Sequence, residues 1–398
     1  MKPTPSIRGG LIPRSAIRKL IPLSKETEKH GIKVIKLNIG QPDVETPPEF
    51  WEGVRHFKEK VLAYSPSEGR PEYLDALISY YSRFNLSFTR EDIVVSQGGI
   101  EGVLYSLIAC ADPGEDILVP EPYYSNYLGT AAMAQVNFIP FTTRAENGYH
   151  LPERSIIEKC ITKKTRAILF SSPGNPTGCV YTRAEMELLA DIAQKHNLFL
   201  ISDEVYREFI YGDTEAVSIF HIPGIDDHAV MLDSASKRYS VCGSRVGSII
   251  SRNKPFLDAV RALATVRLSA PTLDQLGIAN CINTPDSYFI RVKADYKARR
   301  DIVVDALSAL PDVVCHRPEG AFYVMLKLKG IDTEVFAKWL LTDFSHKGET
   351  VLLSPGAGFY ATPGLGRDEI RIAYVLECGI LKRAMEALIE AIRQFRLL

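Results

Sequence analysis

Residues 234–247 read SASKRYSVCGSRVG, in which Lys237 follows two serines, Ser234 and Ser236, and precedes by eight residues an arginine, Arg245, set among glycines. The stretch comes directly after the apolar run Ala229 to Leu232, which has the length and composition of a buried strand. A lysine held as an imine beneath a phosphorylated cofactor needs neighbours for the phosphate, and two hydroxyls plus a guanidinium fork supply charge-assisted hydrogen bonds for it. Read this way, Lys237 is the covalent anchor, and Ser234, Ser236 and Arg245 hold the phosphate. A lone SxSK string is more commonly a solvated lysine in a serine-rich turn, so the reading depends on the rest of the chain.

Outward from this stretch, residues 90 to 250 alternate short apolar runs with longer amphipathic segments. The strand candidates are Ile93 to Ser96, Asp116 to Val119, Ala167 to Phe170, Leu198 to Ser202, Ala229 to Leu232 and Gly247 to Ile250. Between them Gly99 to Ala111, Tyr124 to Ala134 and Arg183 to His196 suit helices, the last opening on a capping-box pair, Thr182 and Glu185. Such alternation predicts an α/β fold: a largely parallel sheet with helices on both faces. After residue 285 the pattern changes to a long helix, Ser287 to Leu310, apolar runs at Phe322 to Leu328 and Val351 to Leu353, a strand at Ile370 to Tyr374 and a last helix, Leu381 to Phe395. In that helix Leu381, Met385, Leu388, Ile389, Ile392 and Phe395 share one face. The tail reads as a smaller α+β domain. The first 40 residues, punctuated from Pro13 and Pro22 onward to Pro42, Pro47 and Pro48 and with little sheet pattern of their own, are expected to pack with it.

Length and composition agree. A chain of 398 residues exceeds what one core usually serves, and 46% apolar residues supply cores without a membrane-protein composition. No apolar run has the length of a membrane span, and the start, MKPTPSIRGGLIPRSAIRKL, lacks the continuous apolar stretch of a secretory signal, so a cytoplasmic protein is expected. Basic and acidic residues balance, 47 against 48, which leaves no footprint for nucleic acid. Seven scattered cysteines form no CxxC pair and eight histidines no ligand spacing, so no metal site is expected. Cys242, inside the lysine stretch, is expected in the core.

Ligands of open α/β sheets sit beyond the carboxyl ends of the strands. Three further segments there carry suitable chemistry. In SQGGIEG, residues 96–102, Gly98 and Gly99 lead into a helix whose free N–H groups attract phosphate. SSPGNPTG, residues 171–178, is either an ordinary Pro-Gly turn or a rigid mount for the Asn175 amide, with the bond before Pro176 a candidate for the cis isomer. ISDEVYREF, residues 201–209, ends a strand on Asp203, an acid that either caps a helix or faces a cationic ligand, with Tyr206 on the same side if the chain turns helically. Asp203 precedes Lys237 by 34 residues, about one strand-helix-strand unit, which places both at one sheet edge.

Together these segments resemble the fold type I pyridoxal phosphate family, specifically the class I and II aminotransferases similar to aspartate aminotransferase. The likeness runs from LNIGQPDVETP at 37–47 to EIRIAY at 369–374. It implies a mostly parallel seven-stranded sheet sandwiched by helices, formed by residues 45–285, with a small domain built from residues 1–44 and 286–398. It implies that Lys237 carries pyridoxal 5′-phosphate and then shuttles the proton between substrate Cα and cofactor C4′. Asp203 would pair with the ring nitrogen, Tyr206 and Asn175 with the phenolic oxygen. Gly98, Gly99 and Ile100, with Ser234, Ser236 and Arg245, would form the phosphate cup, and Tyr124 would stack on the ring. Tyr64 would reach the phosphate in a neighbouring subunit, which implies a homodimer with shared sites. Arg371 would grip the substrate α-carboxylate with Asn175 and the backbone at Gly40.

The chemistry hangs together on its own terms. A gripped carboxylate fixes the amino acid so that one Cα bond stands perpendicular to an electron-withdrawing ring, beside a free amine. The implied reaction is a ping-pong transfer of the amino group of an L-amino acid to a 2-oxo acid, aspartate-type with 2-oxoglutarate as acceptor. Some bacterial aspartate-type members carry a lysine directly after the two glycines for the distal carboxylate, where this chain has Ile100. An aromatic- or alanine-type donor therefore stays open, as does C–S β-lysis on the same framework. Arg267 lies near the segment from which other members draw a side-chain arginine. A DNA-binding regulator would need a module ahead of Gly40, for which the preceding residues leave little room. A nicotinamide enzyme lacks its glycine fingerprint: GAGFYA at 356–361 runs into ATPGLG rather than a helix.

Overall fold

A computed structural model of the chain describes residues 17–397 and, ahead of them, positions 3, 4, 6, 9, 10 and 12. Pro13 and most of the segment before Ile17 lie outside the described residues. The strands in chain order are β1 (Lys33–Lys36), β2 (Ile93–Ser96), β3 (Asp116–Glu121), β4 (Asn137–Thr142), β5 (Thr165–Ser171), β6 (Phe199–Asp203) and β7 (Ala229–Ser234). They continue with β8 (Gly247–Ser251), β9 (Val313–Val314), β10 (Tyr323–Leu328), β11 (Glu349–Leu352), β12 (Ser354–Pro355) and β13 (Glu369–Ala373).

Seven strands form one mixed sheet in the order β2-β8-β7-β6-β5-β3-β4. From β7 to β4 every pairing is parallel, and β8 alone runs antiparallel to its neighbours. The side-chain period of a strand decides how this sheet is covered. Val94, Ile117, Leu169, Ile201, Val230 and Ile249 project to one face, where Val103 and Leu107 of helix Gly99–Cys110 and Leu257 and Val260 of helix Lys254–Arg267 cover them. The alternate residues, Ile93, Val95, Ile168, Leu200, Met231 and Ile250, meet Leu189 and Ile192 of helix Arg183–His196 and Tyr73 and Leu77 of helix Pro71–Ser82 on the other. A sheet buried on both faces is why its strands read as near-continuous apolar runs.

The edge strand β4 was not among the strand candidates. Its sequence, NFIPFT, holds Pro140 and is mostly half-buried. Proline withholds a ladder hydrogen and is tolerated at an edge, which is also what makes such a strand read as a loop. In the first 40 residues the structure adds helix Ile21–Lys29, opened by Pro22, and β1, which pairs in parallel with β11. The expectation of little sheet pattern there missed β1 because its apolar pair, Val34 and Ile35, is too short to show a period.

The second layer system is the antiparallel sheet β12-β13-β10-β9 with helices Asp286–Ser308 and Cys378–Phe395. One core joins Ile35 and Leu37 from the beginning of the chain with Phe322, Leu326, Val351, Ile372 and Leu388 from its end. GAGFYA holds only the short 3-10 turn Gly356–Phe359. Among the described residues, no helix is long and apolar enough to cross a membrane.

Candidate active site

The carboxyl ends of β5, β6 and β7 bring Ser171, Asp203 and Ser234 to one edge of the sheet. Ser171 is in register with Asp203, Ser234 with Gly247 of β8, and Gly247 in turn with Ser96 at the end of β2. A cavity of about 680 Å³ opens over this edge. Its lining holds Gly40, Gly99, Ile100, Tyr124, Asn175, Asp203, Tyr206, Ser234, Ser236, Lys237, Arg245 and Arg371. Thus, of the residues singled out in the sequence for the site, Gly98, Tyr64 and Arg267 do not line it.

Gly98 lies directly under the lining. It caps helix Gly99–Cys110 at φ +77°, and a Cβ there would come within 2.2 Å of Arg245 Nη2. A Cβ on Gly247 would meet Gly98 C at 2.8 Å and Gly99 N at 2.9 Å. Glycine is required at both, because the guanidinium and the strand must approach the helix start closely. Ser234 and Ser236 hydroxyls are 2.8 Å apart, and Arg245 Nη1 donates to the Cys242 carbonyl at 2.9 Å, leaving Nη2 over the helix N-terminus. Hydroxyls, a guanidinium and free helix N–H groups converge on one anion-sized position.

Lys237 Nζ donates to the Gly40 carbonyl at 2.9 Å and lies 3.5 Å from Cys242 Sγ. The expectation for Cys242 is therefore corrected: the thiol is only half-buried and lines the cavity, because the turn after Lys237 carries it back toward the amine rather than into the core. A Cβ on Gly40 would fall 1.8 Å from the Tyr323 hydroxyl, so only glycine lets this carbonyl reach the lysine. Tyr323 in turn shares a 2.9 Å hydrogen bond with the Tyr206 hydroxyl. Asp203 accepts from the Tyr127 hydroxyl and pairs with no basic side chain among the described residues. Removal from water pushes its carboxyl up to about 6. An acid so placed favours a cationic guest.

Arg371, 1% exposed, is the largest side chain to be fully buried. Its Nη1 donates to Asn175 Oδ1 at 2.8 Å and its Nη2 to the Asn38 carbonyl at 2.5 Å, while Nε has no partner. The Tyr323 and Phe359 rings lie 4.5 Å and 5.0 Å from the guanidinium. No carboxylate pairs with it among the described residues, and burial pushes it below its ordinary value. The Asn175–Pro176 bond is cis, and the turn it ends aims the Asn175 amide at Arg371.

Residues at the site that were not singled out in the sequence include Tyr127, Tyr323, Asn38 and Arg18. Tyr127 had a signal, since it stands three residues beyond Tyr124, the spacing of neighbours on a helix face. The other three come from segments distant in sequence, and only the fold brings them here. Tyr64 is 78% exposed and away from this cavity. Arg267 also stays outside it, nearly buried, paired with Glu101 at 3.3 Å and donating to the Ser67 carbonyl at 2.7 Å.

The family model described as aminotransferase class I and II matches residues 32–388. The chain belongs to that family. As a class I and II aminotransferase it is a pyridoxal phosphate-dependent transferase of fold type I. The aspartate aminotransferase of Pyrococcus horikoshii is 29% identical across 96% of this chain and 95% of its own length. Aromatic-amino-acid aminotransferase 2 of Thermococcus litoralis is 28% identical across 96% and 97%. An alanine aminotransferase structure from Pyrococcus furiosus superposes with a TM-score of 0.88 at 27% identity, covering 98% of this chain and all of its own. The relatives share a reaction class and differ in the amino acid they are named for. The cavity fits the cofactor: an anion cradle that a Cβ at Gly98 would fill, an acid without a cation among the described residues, and an amine in the same lining.

Proposed function

We propose that this aminotransferase moves the amino group of an L-amino acid, aspartate first, to 2-oxoglutarate in two half-reactions. The observation that carries the reading is Arg371, a guanidinium with no counter-anion among the described residues, fully buried in the cavity that holds Lys237. Burying a charge is costly unless an anion accompanies it, and the α-carboxylate of an amino acid is the guest that satisfies the fork. Asn175 and the backbone near Gly40 complete that grip.

Bound pyridoxal phosphate supplies an electron sink for the bond that breaks at Cα. The chain's own residues do the rest. Ser234, Ser236, Arg245 and the N–H groups at Gly99 and Ile100 hold the phosphate. Asp203, ionised beside a cationic ring nitrogen, keeps that nitrogen protonated, and the Tyr127 hydroxyl fixes the carboxylate. Tyr206, oriented by Tyr323, and Asn175 would hold the phenolic oxygen, and Tyr124 would pack against the ring. Lys237, once its amine is free, would take the proton from Cα and return it to C4′ of the cofactor, on the far side of the shared nitrogen, as base and acid in turn. The Gly40 carbonyl receives that amine in the meantime.

The same reading extends to the whole chain. The core shared by Ile35, Leu37 and the C-terminal strands supports a small domain made of residues 1–44 and 286–398 beside a large one of 45–285. Exposed Val61, Leu62 and Tyr64, joined to the end of helix Lys254–Arg267, where Val266 and Leu268 are exposed, through Ser65–Thr272 and Arg267–Ser67 hydrogen bonds, support a homodimer in which Tyr64 serves the partner's site. The free cysteines suit a reducing cytoplasm. The test is a panel of L-amino acids against 2-oxoglutarate, pyruvate and oxaloacetate, together with cystathionine without acceptor. Transfer from aspartate to 2-oxoglutarate supports the proposal, and pyruvate from cystathionine in place of any transfer would replace it with C–S β-lysis.

A further inference from the structure

Four cationic side chains line the cavity among the described residues, Arg18, Lys237, Arg245 and Arg371, against a single acid, Asp203. On the reading above, the phosphate takes Arg245, the α-carboxylate takes Arg371, and Lys237 works as a neutral amine in the chemical step. Arg18 is left facing the cavity with no anion of its own, and among the described residues no carboxylate pairs with it. The Tyr124 hydroxyl, which receives a 2.7 Å hydrogen bond from Asn126, lines the same cavity.

Arg18 is also tied to the α-carboxylate grip. Asn38, fully buried, donates its side-chain amide to the Ile17 carbonyl at 2.6 Å, and its own carbonyl receives Arg371 Nη2 at 2.5 Å. One asparagine therefore holds both the segment that presents Arg18 and the arginine that grips the substrate. A ligand with one carboxylate on Arg371 shares the cavity with a second cation, Arg18, which is exposed and follows directly on the Ile17 that Asn38 holds.

We propose that Arg18 binds the side-chain carboxylate of the substrate, so that the enzyme selects dicarboxylic amino acids and their 2-oxo diacids over apolar ones. The proposal rests on the transaminase reading and names its substrate class. A fork that pairs with carboxylate at a cavity rim is sensitive to salt and loses affinity when replaced by an uncharged chain of similar length.

The test uses the holoenzyme, Arg18→Met and Arg18→Lys. Single-turnover discharge of the cofactor band is measured with L-aspartate, L-glutamate and L-alanine, and maleate binding is measured by its spectral shift. Arg18→Met is expected to lower the preference for aspartate over alanine by about 10- to 100-fold and to weaken maleate binding by a similar factor. Arg18→Lys should recover part of both, and added salt should weaken maleate binding more in the wild type than in Arg18→Met. A preference within about twofold of wild type, or an equal loss for all three donors, would overturn the proposal while leaving the transaminase reading in place. If no donor, alanine included, discharges the wild-type band, both fall.

Discussion

At the scale of single residues, the site works by leaving charges unmatched. Among the described residues Arg371 has no acid and Asp203 no base, and each lacks what a substrate or cofactor would bring. Asp203 makes this measurable. Its carboxyl, near 3.9 in an unfolded chain, is pushed up to about 6, so between those values the folded apoprotein binds a proton that the unfolded chain releases. Apoprotein stability from this group is therefore present below about pH 4 and is lost as pH rises through about 6, at most about 3 kcal/mol. Asp203→Asn should flatten that slope in denaturant titrations of the apoprotein. It should also abolish the weakening of cofactor binding expected on acidifying below about pH 6, where the carboxylate that pairs with a cationic ring is lost. A wild-type slope of opposite sign, or one unaltered in Asp203→Asn, would contradict the assignment. Lys237, Asp203 and Arg245 were singled out because each stands in a short segment with a chemical reason for its residue types, and Arg371 only through the family resemblance; the fold lines one cavity with all four. Tyr323 and Asn38 were not singled out, since their parts depend on Gly40 and Ile17, reached only across the fold.

Among the elements, legibility followed burial. Strands covered on both faces declared themselves as apolar runs, and helix Arg183–His196 declared its ends. Thr182 and Glu185 form the reciprocal capping box expected of them, and Asn197 closes the helix in the left-handed conformation. Thr182→Ala should cost about 1 kcal/mol, read as a lower denaturant midpoint with an unchanged slope and unchanged turnover, since the cap lies away from the cavity. No change in midpoint would mean the box contributes nothing net. Strands β1 and β4 were illegible for opposite physical reasons: β1 is too short to display a period, and β4 is an edge whose half-exposure and Pro140 remove the apolar signature.

For the whole molecule, the order of segments along the chain anticipated their meeting at one sheet edge, because parallel strands deliver their carboxyl ends to the same side. What one chain leaves open is Tyr64, exposed beside an apolar surface and distant from its own cavity. If it serves a neighbouring subunit, Tyr64→Ala and Lys237→Ala chains, each impaired alone, should regain activity when mixed and allowed to exchange subunits. In the mixed dimer one site then receives Lys237 from one chain and Tyr64 from the other. A mixture no better than the average of its parents would place Tyr64 elsewhere. The account as a whole turns on Lys237 as the amine that carries the cofactor, and borohydride reduction of the holoenzyme followed by peptide mapping tests this most directly. It predicts a phosphopyridoxyl group on Lys237 in the peptide containing Ser234 to Arg238, whereas a label on any other lysine, or none at all, would contradict it.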